Sequence, residues 1–207
     1  FGPWPAHPRI NDVVGVMNKA ATQDATGALV WPVIRAMLRR GRATNAQTAS
    51  AVALIDHWVR RGASTLGNPS GGPIPYSGAA VFRAAWPHIF DAVMGPRYGK
   101  LLGPFEGLLG RDPSYVDKDL KTQLGRHVLA PYAFRYCGRG NAAACSRSLW
   151  AAIRAGRADL VKQQGADASA WRIDQGMTGF VPGLIPTKFP TTNRPTYQQV
   201  ISLAPRP

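Results

Sequence analysis

Apolar residues recur at helical spacing along most of this chain and at alternate positions only near its end. In NDVVGVMNKAATQ (11–23), Val13, Val14, Met17 and Ala21 form a helical stripe, and Asn11 is placed to cap it. A second helix is predicted over 24–40, begun by Asp24, with Leu29, Val33, Ile34, Met37 and Leu38 inward. Pro32 lies inside it and is expected to bend or split it. Thr44 and Gln47 fit a capping box for a third helix, lined by Val52, Ile55, Trp58 and Val59 and ended by Gly62. Residues 62–76 form a connection too long for a tight turn. A fourth helix runs from Gly78 to Met94, with Phe82, Trp86, Ile89, Phe90 and Val93 inward and a kink expected at Pro87.

Residues 95–113 lack a clear period and read as irregular, with a local echo, KLLGPFEGLLG (100–110), too short for a repeat architecture. Weaker helical signal follows over 114–136. CSRSLWAAIRAGRADLVKQQG (145–165) is a strong helix ended by Gly165, and Asp167 is placed to cap a short turn leading to Trp171. Residues 172–192 read as loop, with 178–185 an optional strand. The period then changes to two: in NRPTYQQVISLAP (193–205), Tyr197, Ile201 and Leu203 share one face and Thr196, Val200 and Ser202 the other. A lone strand leaves its backbone donors and acceptors unpaired, so it predicts β-structure from elsewhere. The fold class expected is therefore α+β: a mostly helical fragment over 1–207 that is not an independent domain. Its parts are a helical region (11–165), a loop (166–192) and a sheet-joining strand (193–205).

The charge of +14 narrows the choice of partners. It admits nucleic acid or an anionic surface, but RAMLRRGR (35–42) and WVRRG (58–62) look like helix C-termini, where cations complement the dipole. The apolar share of 45% excludes a disordered tail. A membrane span needs about 18 or more consecutive apolar residues, and the longest apolar run, GALVWPVI (27–34), is interrupted by Pro32. The opening FGPWPAHP has no Met, charged n-region or apolar h-region. It predicts an N-terminus made by processing, cloning or proteolysis.

Candidate chemistry is sparse. Cys137 and Cys145 stand in CGRGNAAAC, around a flexible Gly-rich loop. A disulfide is feasible there, and it implies an oxidising compartment; two free thiols or half a metal site are the alternatives. His7, His57, His88 and His127 are dispersed, with no pair at metal spacing. Asp112, Asp117 and Asp119 cluster, but Arg111, Lys118 and Lys121 beside them suggest a solvated charged face. GNPSGGP (67–73) lacks the Lys of a phosphate loop, and no G-x-S-x-G nucleophile elbow occurs.

Four stretches nevertheless point to a family. INDVVGVMNKAATQD (10–24), CSRSLWAAIRAGRADL (145–160), ADASAWRIDQG (166–176) and NRPTYQQV (193–200) resemble the large subunit of penicillin acylase (penicillin amidase) family proteins, toward its C-terminal end. The resemblance implies an N-terminal nucleophile hydrolase, an αββα sandwich whose sheet the terminal strand would complete. It implies a precursor that cuts itself, a large subunit beginning with a Ser whose own amino group is the general base, and hydrolysis of N-acyl amide bonds through an acyl-enzyme. Phe1 has no hydroxyl or thiol, so this chain carries no catalytic nucleophile of its own. The partners implied are companion chains of the same precursor that hold the Ser and the rest of the sheets. Arg9, in HPRIND, matches the family's active-site-supporting arginine, with an electrostatic role.

No cofactor is expected on this chain, although the resemblance allows a calcium ion in the whole assembly. No nucleic-acid partner is expected, and the localisation expected is secreted, periplasmic or cell-envelope. Two other functions compete with the acylase: a basic helical module binding nucleic acid or an anionic envelope polymer, and an inactive acylase-fold subunit of an envelope complex.

Overall fold

The computed structural model describes residues 9–65, 76–129, 134–174, 177–179 and 188–190. Seven α-helices follow one another among them: α1 (Ile10–Thr22), α2 (Ala25–Leu38), α3 (Ala46–Arg60), α4 (Ser77–Tyr98), α5 (Leu102–Leu109), α6 (Pro113–Gln123) and α7 (Ala142–Gln164). Short 3₁₀ turns at Gly99–Leu101, Cys137–Gly140 and Ala168–Ala170 link them. The chain is thus mostly helical, as the spacing predicts. Two short strands, β1 (Met177–Gly179) and β2 (Lys188–Pro190), pair antiparallel with Thr178 opposite Phe189. β1 begins close to the optional strand at 178–185. The terminal strand at 193–205 lies outside the described residues.

Most helix starts carry a side-chain cap. Asp24 accepts the Gly27 N–H, Asp112 that of Ser114 and Asn141 that of Ala144, each satisfying a donor that has no partner inside its helix. Two caps differ from the sequence reading. The third helix is capped by Asn45, whose Oδ1 accepts from Thr48 N at 2.8 Å, and not by Thr44. The first helix starts one residue early, so Asn11 sits inside its first turn. There Asp12 reaches back to the Arg9 N–H at 2.8 Å, the carboxylate half of a capping box.

α4 is the centre of the core and packs against α3 and α7, with α6 and the Cys137–Gly140 turn beside it. Phe82, Ile89, Phe90 and Val93 are buried along it, as predicted, and Trp86 is half-buried. The helix runs through both Pro87 and Pro96, and α2 runs through Pro32, so neither predicted interruption splits its helix. The inward face of α2 is rotated from the predicted one. Leu29 is exposed, while Val30 and Trp31 are buried with Val33, Ile34, Met37 and Leu38. Trp31 turns inward because its indole N–H has a partner there, the Asp56 carboxylate at 2.8 Å. Asp56 also takes Arg35 Nε at 2.8 Å, so one carboxylate ties α2 to α3. At the other end of α2, the Leu38 carbonyl accepts from Ser146 Oγ and Trp150 Nε1 of α7. The same carbonyl accepts the Gly41 N–H at 3.1 Å, so the helix end and α7 share it.

Two further expectations change. Residues 95–113 are helical over most of their length, not irregular, because Tyr98 stacks on Phe105 with ring centroids 4.6 Å apart and draws α5 onto the core. The helix predicted over 114–136 ends at Gln123. Gly62 and Gly165 end their helices with φ of +98° and +86°, where a Cβ is strained.

Cys137 and Cys145 form a disulfide, with Cα atoms 5.0 Å apart and both residues fully buried. This selects among the three states the sequence left open. The bond ties the turn before α7 to the first turn of α7. Replacing both cysteines by Ser is expected to lower the unfolding free energy by about 2–3 kcal/mol on loop-entropy grounds. Denaturant titration of the variant beside wild type checks it. Coincident midpoints would mean that the cross-link contributes no stability.

Candidate functional site

Arg9 is exposed and stands as the residue that opens α1. The M-N-x-A-A-T-Q-D stretch that follows holds this helix to the bundle at its far end. The Thr22 carbonyl accepts from Thr65 N at 2.7 Å and from Thr65 Oγ1 at 2.9 Å. Gln23 Nε2 donates to the Gly62 carbonyl at 2.8 Å, and Asp24 N donates to the Ala63 carbonyl at 2.7 Å. An antiparallel bridge between Gln23 and Ser64 completes the join. Each polar residue of T-Q-D therefore has a structural task, and Asp24 has a second one, facing Arg83 of α4 at 3.7 Å. Along α1 itself, Ile10 and Val14 are exposed while Val13 and Met17 are half-buried. Of the stripe read from the sequence, Val13, Met17 and Ala21 are half-buried and Val14 is exposed.

Nothing brings Arg9 to the disulfide, which lies between the turn before α7 and the first turn of α7. The disulfide has a neighbour that the sequence reading misjudged. Asp119 is fully buried and Asp117 nearly so; neither sits on a solvated face. The Asp119 carboxylate accepts the backbone N–H groups of Tyr136 and Cys137 and an amide proton of Gln123 at 2.8 Å. Gln123 in turn donates to the Cys137 carbonyl at 3.0 Å. Burial pushes the Asp119 carboxyl above its ordinary range, against the pull of those donors. Asp117 keeps Lys121 at 2.7 Å one turn on.

Two open cavities carry polar side chains. The first, about 510 Å³, lies beside α4 and α7 and contains His88, whose Nε2 is 2.7 Å from Asp159 Oδ2. These residues are 71 apart in sequence, so no motif could have announced the pair. Arg83, Gln163, Arg172 and Asp174 also line it, but among the described residues no Ser, Thr or Cys does. A histidine oriented by a carboxylate is two-thirds of a nucleophilic triad; no attacking atom stands among the described residues of this wall. The second, about 430 Å³, is lined by His57, Arg61, Ser64 and Ser77 and, among the described residues, by no carboxylate. Ser77 Oγ is committed to the Ala168 carbonyl at 2.7 Å. Among the described residues neither cavity completes a catalytic constellation.

Other charged groups have structural roles. Four basic residues of the sequence clusters stand exposed at helix ends: Arg39 and Arg40 after α2, Arg60 and Arg61 at the end of α3. They complement the two helix dipoles. Asp167 caps the Ala168–Ala170 turn, as predicted, and its bonds to Ser169 hold its carboxyl below the ordinary range. The turn leads to Trp171, which is buried. Among the described residues no three His, Cys, Asp or Glu side chains converge in a way that could hold a metal ion, so no calcium ligand is assigned. Among them, too, no helix is long and apolar enough to cross a membrane. No protein-family model matches this sequence, and neither does any curated protein.

Proposed function

We propose that this chain is the non-nucleophile section of a self-processed, penicillin acylase-like amidohydrolase that cleaves N-acyl amide bonds. The observation that carries this reading is the set of four resembling stretches, above all INDVVGVMNKAATQD. The geometry of that stretch supports it. Thr22, Gln23 and Asp24 fix the corner from which α1 and Arg9 extend. The helix leaves Ile10 and Val14 exposed, apolar surface that a companion section would cover. The disulfide suits a secreted, periplasmic or envelope location.

In this reading a companion chain supplies an N-terminal Ser. Its α-amino group takes the hydroxyl proton, the oxygen attacks the amide carbon, the amine departs, and water releases the acid. Arg9 supports that site electrostatically, and the strand at 193–205 joins the companion's sheet. The test is to isolate the native protein, treat it with a serine-reactive sulfonyl fluoride and map the label by mass spectrometry. The expected result is hydrolysis of a chromogenic N-acyl anilide, lost on labelling, with the label on the N-terminal Ser of a second polypeptide. Isolation as a lone polypeptide without amidase activity would overturn it.

A further inference from the structure

We propose that α5 and the turn leading into it form a site that lies against an anionic lipid bilayer. The inference does not depend on the acylase reading. It starts from KLLGPFEGLLG, a segment that the proposed chemistry leaves unused. A helix apolar on all sides belongs in a core, yet this one is at the surface. Its inner side is accounted for by Leu102 and Phe105, which pack against the core. Its outer side carries Leu101, Pro104 and Leu108, spaced i, i+3, i+7 and all exposed. Leu101 is 68% exposed and Leu108 82%. Glu106, the single acidic residue of α5, is held by Arg111 at 2.7 Å, and Asp91 of α4 stands beside it on the inner side.

The apolar surface continues sideways. Phe134, 55% exposed, stacks on Tyr136 at 5.4 Å, and Tyr136 meets Tyr98 edge-on at 6.0 Å. Tyr98 then stacks on Phe105 of α5. Exposed cations accompany this strip: Arg97 and Lys100 before α5, Arg135 and Arg139 around Tyr136. That complementarity selects the occupant. An interfacial membrane site sets projecting apolar residues among Lys and Arg that meet lipid phosphates, and four exposed cations flank the projecting leucines here. No described helix is long and apolar enough to span a bilayer, so the contact is one of lying on the surface.

The experiment is vesicle co-sedimentation of the isolated protein, with any polypeptide that co-purifies. It uses phosphatidylcholine vesicles with and without phosphatidylglycerol. Binding to the anionic vesicles alone, weakening with salt, is expected. The double variant L101S/L108S should lose about tenfold or more in partitioning, since two inserted leucines are removed. Its unfolding curve should match wild type, because both side chains are exposed. The variant R97E/K100E should lose binding as well. Equal binding by wild type and L101S/L108S would reduce the effect to bulk attraction by a chain of charge +14 and overturn the site. Absence of binding to anionic vesicles would also overturn it. So would a serine variant that breaks up a dimer or sheds a co-purifying polypeptide without any change in vesicle binding.

Discussion

Gly156→Ala should destabilise the protein by about 3 kcal/mol, the upper part of the range for overpacking a close contact. The sign runs against helix propensity. Gly156 lies inside α7, where Ala is ordinarily preferred over Gly by about 1 kcal/mol. Geometry reverses this. A Cβ at position 156 would stand 2.5 Å from Ala85 N and 2.7 Å from Ala84 C, and closer still to Ala85 Cα. These are main-chain atoms of α4, so no rotamer change relieves the overlap; the two helices must separate. The pair α4 and α7 forms the most extensive helix contact of the fold, and Ile89, Phe90, Leu149 and Ile153 are buried on these two helices.

Two controls sharpen this expectation. Ala85→Gly in the Gly156→Ala background should not restore stability, because the colliding atoms are backbone. Gly107→Ala on α5 meets nothing within 4 Å and is expected to stabilise by about 0.5–1 kcal/mol where the helical backbone suits Ala. Denaturant titrations of the four proteins decide the matter. Unfolding of Gly156→Ala within about 1 kcal/mol of wild type, the scale of the propensity gain, would mean that α4 and α7 do not approach as closely as described.

Gly156 also shows where the sequence stops being informative. Within CSRSLWAAIRAGRADL it is a blemish in a strong helix, and only the partner helix explains it. α2, α3 and α7 were legible because each joins a helical apolar period to a capping residue or a terminal glycine, signals contained within one segment. α5 was not legible. Gly99, Gly103, Gly107, Gly110 and Pro104 argue against helix, and leucines on both sides blur the period. Packing of Phe105 on Tyr98 overrides that local preference.

The acidic cluster failed for a related reason. Asp119 sits between Lys118 and Lys121, which suggests solvent, but its partners are backbone groups at positions 136 and 137 that no local pattern reveals. His88 and Asp159 meet across two helices in the same way. Of the predicted site, the disulfide was legible as one option of three from the spacing of Cys137 and Cys145. The role of Thr22, Gln23 and Asp24 as a structural corner was not, because their acceptors and donors lie at 62, 63 and 65.

Asp119→Ala carries the other large expected effect, a loss of about 3–5 kcal/mol, the scale of leaving two buried backbone donors unpaired. The substitution leaves the N–H groups of Tyr136 and Cys137 without this acceptor and removes one of the two bonds that Gln123 Nε2 donates. Unpaired buried donors each cost about 1–3 kcal/mol. Asp119→Asn should cost less, since its amide oxygen still accepts from one of the donors while its NH₂ opposes another. Acidity adds a signature that simple packing loss would not produce. Burial raises the Asp119 carboxyl in the folded state above its unfolded value. Between those two values the folded chain holds the extra proton, so this group's contribution to stability is full below the unfolded pKa. It declines as pH rises through the folded pKa and is constant above it. The gap in unfolding free energy between wild type and Asp119→Asn should therefore be widest in acid and narrow as pH rises. Groups such as Asp167, whose carboxyl is held low, act in the opposite sense but are common to both proteins and cancel in the difference. Urea titrations of the pair across the acid range measure the gap directly. A gap that widens with pH would mean that the three donors outweigh burial and hold the Asp119 carboxyl low.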